Sequence, residues 1–338
     1  MSARAIPLLS LADMRADQEA DLFLLLTEKQ QLTTRQGKPY FKVTLRDATR
    51  EISFPIWGDA PWAAECRDQW RPGVFYKVRA VYRETSYGPQ LEIRKIREAT
   101  EADRAEGFDP NMLRRRSRFD PEAMWSELTA LVERHISPGP LRRVVETLLA
   151  ENRQRLLVWP AARHNHHAYV GGWLEHTLAV AKTCVYLAQR YAEHYPELDP
   201  PLDAGLVVAG GILHDIGKLR ELDDRPEGAC YSAPGALVGH MLLGRDMVRE
   251  AAAKVGLEGD TLLRLEHIVV AHQRLPEWGS PKPPMTPEAL LVHYADDIDA
   301  KLAILCGILA EDATQGPTTS KRNLLGYALY RGPEPSET

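Results

Sequence analysis

The sequence predicts a multidomain protein: a small five-stranded β-barrel followed by an all-helical domain. Three observations carry that prediction. A chain of 338 residues is longer than one ordinary core needs and favours two folded units. Apolar residues recur with period two in short runs between residues 22 and 98, the repeat of a strand with one buried face. From Pro121 onward the repeat becomes helical, and no sustained alternation returns.

The β region opens with the apolar run Leu22 to Thr27. In Tyr40 to Leu45, residues Phe41, Val43 and Leu45 share one face, and Arg46 to Arg50 forms a polar turn. Ile52 to Trp57 repeats the alternation, with a Pro55 that suits an edge or a bulge because it lacks a ladder donor. Ala60 to Trp70 interrupts the strands with a short helix, and Pro72-Gly73 turns the chain. Val74 to Val81 and Gln90 to Ile96 supply two further strands around Tyr87-Gly88-Pro89. Five short strands with an insertion before the fourth fit a Greek-key barrel, while a sandwich or a decorated sheet would satisfy the same strand count.

The β domain is placed at residues 18–100 and a charged linker at 101–120, which ends in the basic cluster Arg114, Arg115, Arg116 and Arg118. Helical periodicity then fills 121–311. Trp125, Leu128, Leu131 and Val132 share a face, Pro138-Gly139-Pro140 breaks the run, and helices are predicted at 173–191, 202–216, 236–255, 261–272 and 287–309. Residues 312–338 read as a tail rich in Thr, Gly, Pro and Glu.

Composition limits the function classes. A net charge of 42 − 47 = −5 argues against a chain coated in nucleic acid, but leaves room for a local basic groove. Cys66, Cys184, Cys230 and Cys306 lie far apart, which fits a reducing, cytoplasmic setting and gives a thiolate metal site no support. No segment has the length and apolarity of a signal peptide core or a membrane span.

Chemistry concentrates in the helical half. His214-Asp215 follows the apolar stretch Leu206 to Leu213, so a nitrogen and a carboxylate emerge together at the end of a buried helix. A carboxylate can bridge two ions, and Lys218, one turn further on, would point an ammonium toward the same pocket, where it suits a phosphate oxygen. His176 follows Gly171-Gly172 at the start of a helix, His240 begins another, and His267 and His272 lie on a third. Asp296, Asp297 and Asp299 interrupt an apolar helix, an expensive placement unless they are paired or bind metal. Helices that each direct one polar ligand inward are how bundles build metal sites.

The order His176, His214-Asp215, Asp296 resembles that of HD-domain phosphohydrolases. More narrowly, His166-His167-Ala168-Tyr169, Gly171 to Thr177, His214-Asp215-Ile216-Gly217-Lys218, Thr286 to Leu291 and His293 to Lys301 resemble the YhaM-type 3′→5′ exoribonucleases, from about residue 20 to 310. In that family an OB-fold nucleic-acid-binding domain precedes the HD domain. The resemblance implies His176, His214, Asp215 and Asp296 as core ligands, with His240 and His272 serving a second ion. The chain departs from the family at His272-Gln273, where two adjacent histidines are common, so one ion is expected and the second is left open. His267 is the rival of His272. Asp299 either orients a ligand or pairs with a basic side chain.

A divalent ion in such a nitrogen and oxygen set lowers the pKa of water and neutralises phosphoryl charge. Manganese is the first choice, with Fe²⁺, Co²⁺, Zn²⁺ or Mg²⁺ compatible. Asp215, Lys218, His166 and His167 are the catalytic candidates, the two histidines as contacts to the phosphate or leaving oxygen. Lys42, Trp57, Lys77, Arg79, Tyr82 and Tyr87 are the candidate contacts to single-stranded RNA, or DNA, combining base stacking with a basic track. The expected activity is 3′→5′ hydrolysis of single strands to 5′-mononucleotides, by a protein that could also form homo-oligomers. A nucleotide or cyclic-nucleotide phosphohydrolase, or a non-catalytic nucleic-acid-binding protein, are the alternatives.

Overall fold

A computed structural model describes residues 6–34, 36–85, 88–110, 113–163, 166–225, 228–312 and 314–333. The chain divides into two compact units, residues 1–116 with 224–228, and residues 117–223 with 229–338.

The first unit is one antiparallel sheet of five strands, β1 (Glu19–Thr33), β2 (Pro39–Arg46), β3 (Glu51–Trp57), β4 (Phe75–Thr85) and β5 (Gly88–Glu98), with a short helix α1 (Ala63–Asp68) between β3 and β4. The strand order is β3-β2-β1-β4-β5. The long central β1 pairs with β4 through its first half and with β2 through its second, and a register break between Leu26 and Glu28 bends it between the two partners. Leu22, Leu24, Val43, Ile52, Phe54 and Val78 face inward, and Tyr40 and Trp57 lie side by side across the β2–β3 ladder.

The expected five-stranded barrel (OB-fold) is not what forms. The sheet is open, because its edge strands β3 and β5 exchange no ladder. Two local features are consistent with the open edge. Edge strand β3 carries Pro55, which has no N–H to give. The β3–β4 insertion also takes a β5 acceptor for itself, since the Trp62 Nε1–H donates to the Ile93 carbonyl at 2.9 Å.

The second unit is built from α2 (Pro121–His135), α3 (Pro140–Leu156), α4 (Gly172–His194), α5 (Ala204–Leu213), α6 (Lys218–Glu221), α7 (Ala233–Leu237), α8 (His240–Val255), α9 (Gly259–Ala271) and α10 (Pro287–Glu311). The helix starts are legible from their caps. Asp120, Asp203 and Thr286 accept from the backbone N–H three residues on, and Pro121 and Pro287 open their helices where no intrahelical donor is needed. Helix α5, apolar on every side, is buried from Leu206 to Leu213 and packs against α4, α9 and α10.

A hairpin of two four-residue strands, β6 (Leu222–Arg225) and β7 (Gly228–Tyr231), departs from the all-helical expectation. Strands this short offer too little alternation to register as a period in the sequence. No helix among the described residues is long and apolar enough to cross a membrane.

Candidate metal centre

The polar cluster is assembled from helix ends. His214 caps the C-terminus of α5 and Asp215 follows it, while His272 caps α9. Both imidazoles use the same device: Nδ1–H donates to the carbonyl three residues back, Gly211 for His214 and Val269 for His272, each at 2.8 Å. These carbonyls belong to the last helical turn, which lacks backbone partners, so one bond caps the helix and orients the ring. His240 opens α8, where its backbone N–H and its Nδ1–H both reach Glu221 Oε1 at 3.0 and 2.9 Å. His176, in the first turns of α4, donates Nδ1–H to Asp299 Oδ2 on α10 at 2.7 Å. Gly217 lets these parts close up, since a Cβ there would stand 1.9 Å from the His240 carbonyl oxygen.

All four rings therefore have Nδ1 committed to an acceptor, which leaves Nε2 of each as the atom that can present a lone pair to a cation. These Nε2 atoms converge. Those of His176 and His214 are 3.2 Å apart, and those of His240 and His272 are 3.4 Å apart. Asp215 lies between the pairs. Its Oδ2 is 3.9 Å from His176 Nε2 and 3.7 Å from His214 Nε2, and its Oδ1 is 3.3 Å from His240 Nε2 and 3.6 Å from His272 Nε2. Asp296 Oδ1 joins the first pair at 3.2 and 3.7 Å.

Lone pairs facing lone pairs and carboxylates repel unless a cation lies between them. Two ligands at about 2.1 Å from one ion stand roughly 3.0 to 3.4 Å apart in octahedral or tetrahedral geometry, close to the spacings seen here. Asp215 Oδ1 is buried and has no hydrogen-bond partner, an expensive state that a cation would relieve. The residues present thus fit divalent metal, in two sets that share Asp215: His176, His214 and Asp215, and Asp215, His240 and His272.

The electrostatics agree. Burial opposes a charged Asp215, but Lys218 and then His214 outweigh it and hold its carboxyl well below the usual range. Burial likewise opposes a charged His176, yet Asp296 and Asp299 push its imidazole up to about 10. The two carboxylates thereby hold a proton on the His176 ring, in the place a cation would take. Lys218 Nζ stands 3.3 Å from Glu221 Oε2, and Asp215 and Glu221 raise its ammonium against the cost of burial.

Comparison with known proteins places this site in a family. The HD domain family matches residues 173–301, which include His176, His214, Asp215, His240, His272 and Asp296. The chain is 32% identical over 283 residues to the 3′-5′ exoribonuclease YhaM of Halalkalibacterium halodurans, covering 84% of this chain and 83% of that one. It is 31% identical over 288 residues to the 3′-5′ exoribonuclease YhaM of a Geobacillus species, covering 85% and 84%. The chain belongs to the YhaM exoribonuclease family. It is a metal-binding HD-domain phosphohydrolase related to those enzymes. The chain is also similar to the second OB-fold domain of replication protein A from Methanococcus maripaludis, at 12% identity over 28% of this chain and 96% of that one, with a TM-score of 0.22.

In this YhaM relative the other predicted residues divide. His166 is half-buried with its ring 5.1 Å from that of His176, and burial, with His176, brings it down to about 4. His167 is brought to the cluster as well, but both its nitrogens are taken, Nδ1 by the Tyr169 hydroxyl at 2.7 Å and Nε2 by Asp299 Oδ2 at 3.0 Å. His267 lies apart from the convergent set, its Nε2 accepting the Met285 N–H at 2.8 Å. Gln273, the family departure, reaches the second set: its side-chain amide is 3.4 Å from His240 Nε2.

The candidate nucleic-acid contacts fare unevenly. Lys42 is exposed, and Trp57 is 48% exposed with its ring 5.2 Å from that of Tyr40. Lys77 is paired with Glu106 and Asp103, and Arg79 holds Asp21 through two bonds of 2.7 and 2.9 Å. Tyr82 is a correction. It alternates in phase with Tyr76, Val78 and Ala80, so it points into the core, is 2% exposed and cannot stack a base. Tyr87 lies outside the described residues.

Two supporting groups escaped the sequence reading, Glu221 behind His240 and His293, whose Nδ1–H donates to the His272 carbonyl at 2.7 Å. A Glu seven residues after His214 carries no periodic signal. Only the α6 turn and the return of α8 bring it under His240.

Proposed function

We propose that this protein is a manganese-dependent, cytoplasmic 3′→5′ exoribonuclease that shortens single-stranded RNA, and DNA of the same form, to 5′-mononucleotides. The observation that carries the reading is the single Asp215 carboxylate faced on both oxygens by pairs of imidazole Nε2 atoms, in a chain related along most of its length to exoribonucleases. A bound divalent ion would supply activation of water and neutralisation of phosphoryl charge.

The chain's own residues do the rest. His176, His214, Asp215 and Asp296 would hold one ion, and Asp215, His240 and His272 a second, with Gln273 beside it. A nitrogen-rich set of this kind suits Mn²⁺ better than Mg²⁺. Lys218 is held by Glu221 within the field of the Asp215 carboxylate, and its ammonium would meet the charge that grows on non-bridging phosphoryl oxygens. His166, at about 4, is neutral at pH 7, so it offers the leaving 3′-oxygen a hydrogen bond rather than an imidazolium proton. Tyr40 and Trp57, with Lys42 on the same outward face of β2–β3, supply a stacking surface beside a cation for single strands.

The test incubates the protein with end-labelled single-stranded RNA and DNA, each with a free or a blocked 3′ end, in Mn²⁺ or in EDTA. Free 3′ ends should be shortened stepwise to 5′-mononucleotides, blocked ends should persist, and EDTA should stop both. Equal shortening of blocked ends would remove the direction of attack. Turnover of cyclic nucleotides with none of the polymers would remove the substrate.

A further inference from the structure

Asp296 and Asp299 sit three residues apart on α10 and clamp the same ring from opposite sides. Asp296 Oδ1 lies 3.2 Å from His176 Nε2, while Asp299 Oδ2 accepts from His176 Nδ1 at 2.7 Å. The same Asp299 oxygen also meets His167 Nε2 at 3.0 Å. The chain of contacts continues outward, for His167 Nδ1 is 2.7 Å from the Tyr169 hydroxyl, which donates to Glu175 Oε2 at 2.9 Å. Four side chains thus run from the first turn of α4 back to His176 by way of the loop before the helix.

The loop is held in place at some cost. His167 has φ of 51°, a left-handed conformation unusual for a residue with a side chain. Its carbonyl accepts from the Ala161 N–H at 3.1 Å and from the Tyr169 N–H at 2.8 Å. Gly172 admits that carbonyl so closely that a Cβ would stand 1.9 Å from its oxygen. Strain of this kind persists only where surrounding contacts over-determine it.

We infer that Tyr169, His167 and Asp299 form a positioning relay, which locks the His176 ring in the tautomer and plane that present Nε2 to the metal centre. The inference rests on the metal-binding reading of the HD site and assigns His167 a positioning role in place of substrate contact. Its nitrogens are both engaged, so neither is aimed at a phosphate. The rival use of the same atoms is a separate cation site at His167, His176 and Asp299, whose ligand atoms also lie within 4.8 Å of one another. A neutral imidazole has one lone pair, and His176 cannot give it to a cation at Nδ1 while Nε2 serves the shared site. Outer carboxylates that fix a ligating histidine in this way commonly govern metal affinity.

The experiment titrates Mn²⁺ calorimetrically into EDTA-stripped full-length protein, and compares the wild type with Asp299→Ala, Asp299→Asn, His167→Ala and Tyr169→Phe. Asp299→Ala should weaken Mn²⁺ binding by about 10- to 100-fold, His167→Ala by less and Tyr169→Phe by least, with the number of ions unchanged. Hydrolysis should recover as Mn²⁺ is raised, which general damage to the fold would not allow, and KM at saturating Mn²⁺ should stay at the wild-type value. Asp299→Asn keeps the side-chain volume and provides the measurement if the alanine variant fails to fold. Wild-type Mn²⁺ affinity in both Asp299 variants would overturn the relay. So would the loss of one bound ion, which would make the triad a cation site, or a raised KM in His167→Ala at saturating Mn²⁺, which would make His167 a substrate contact. Loss of the exonuclease reading alone would leave these Mn²⁺ titrations unaffected.

Discussion

Asp47 in the β unit and Asp215 in the helical unit are equally buried, each 4% exposed, yet they are opposite kinds of residue. Asp47 is saturated: its oxygens accept from the backbone N–H of Leu11, Thr49 and Arg50 at 2.6, 2.8 and 2.9 Å, and from the Thr49 hydroxyl at 2.6 Å. Asp215 keeps Oδ1 without a partner and is surrounded by imidazole nitrogens with free lone pairs. A buried carboxylate with every lone pair used holds a turn together. One with its valence left open is waiting for something outside the chain. The same contrast extends to the charges around them. In the β unit Arg79 and Arg97 are neutralised locally by Asp21 and Asp103, whereas the helical unit concentrates four buried histidines and two carboxylates on one spot.

The sharpest way to break that contrast is Asp215→Asn. The amide keeps the volume and loses the charge shared by both ligand sets, so hydrolysis of single-stranded RNA should fall by at least about a thousand-fold. Oligonucleotide retention by the β unit, read in a filter-binding assay, should persist. Full activity would mean that Asp215 is no more functional than Asp47. The complementary change, Asp47→Ala, strands buried backbone donors and should cost about 1–3 kcal/mol for each one left unsatisfied, seen as earlier denaturant unfolding of the β unit. Mn²⁺ affinity should not move.

Trp57→Ala should weaken single-strand binding by about 1–3 kcal/mol per stacked base and leave Mn²⁺ binding untouched; unchanged affinity would return Trp57 to an ordinary exposed aromatic. The smallest effect is one of pH. Because Asp296 and Asp299 raise His176 to about 10 in the metal-free protein, its proton contributes stability fully present below about 6.5 and lost as pH rises through about 10. Mn²⁺ must displace that proton, so its affinity should rise by about tenfold per pH unit between pH 6.5 and 8 if one proton is released. A flat affinity profile would show that His176 does not give up a proton to the ion.

Much of this was legible from one dimension. An apolar run, period-two alternation and turn residues located the five strands of the β unit, and the switch to helical spacing at Pro121 located the bundle, because burial of one face repeats with the geometry of the element. Pro55 suited an edge or a bulge, and β3 lies at the edge. His214-Asp215 and an acidic trio inside apolar α10 stood out because ionisable groups are costly in such surroundings. The tertiary structure alone decided what closes on what. β3 and β5 approach each other yet exchange no ladder, and the Trp62 bond to the Ile93 carbonyl is a contact that no repeat encodes. Likewise, Lys77 and Arg79 have carboxylate partners because of neighbours distant in sequence, whereas the inward face of Tyr82 follows the alternation of β4 itself. At the metal centre, sequence named the histidines but could not say which nitrogen each presents. That is fixed by Asp299, Glu221 and two helix-end carbonyls, and hydrogen bonds between remote or turned-back segments leave no period in the chain to be read.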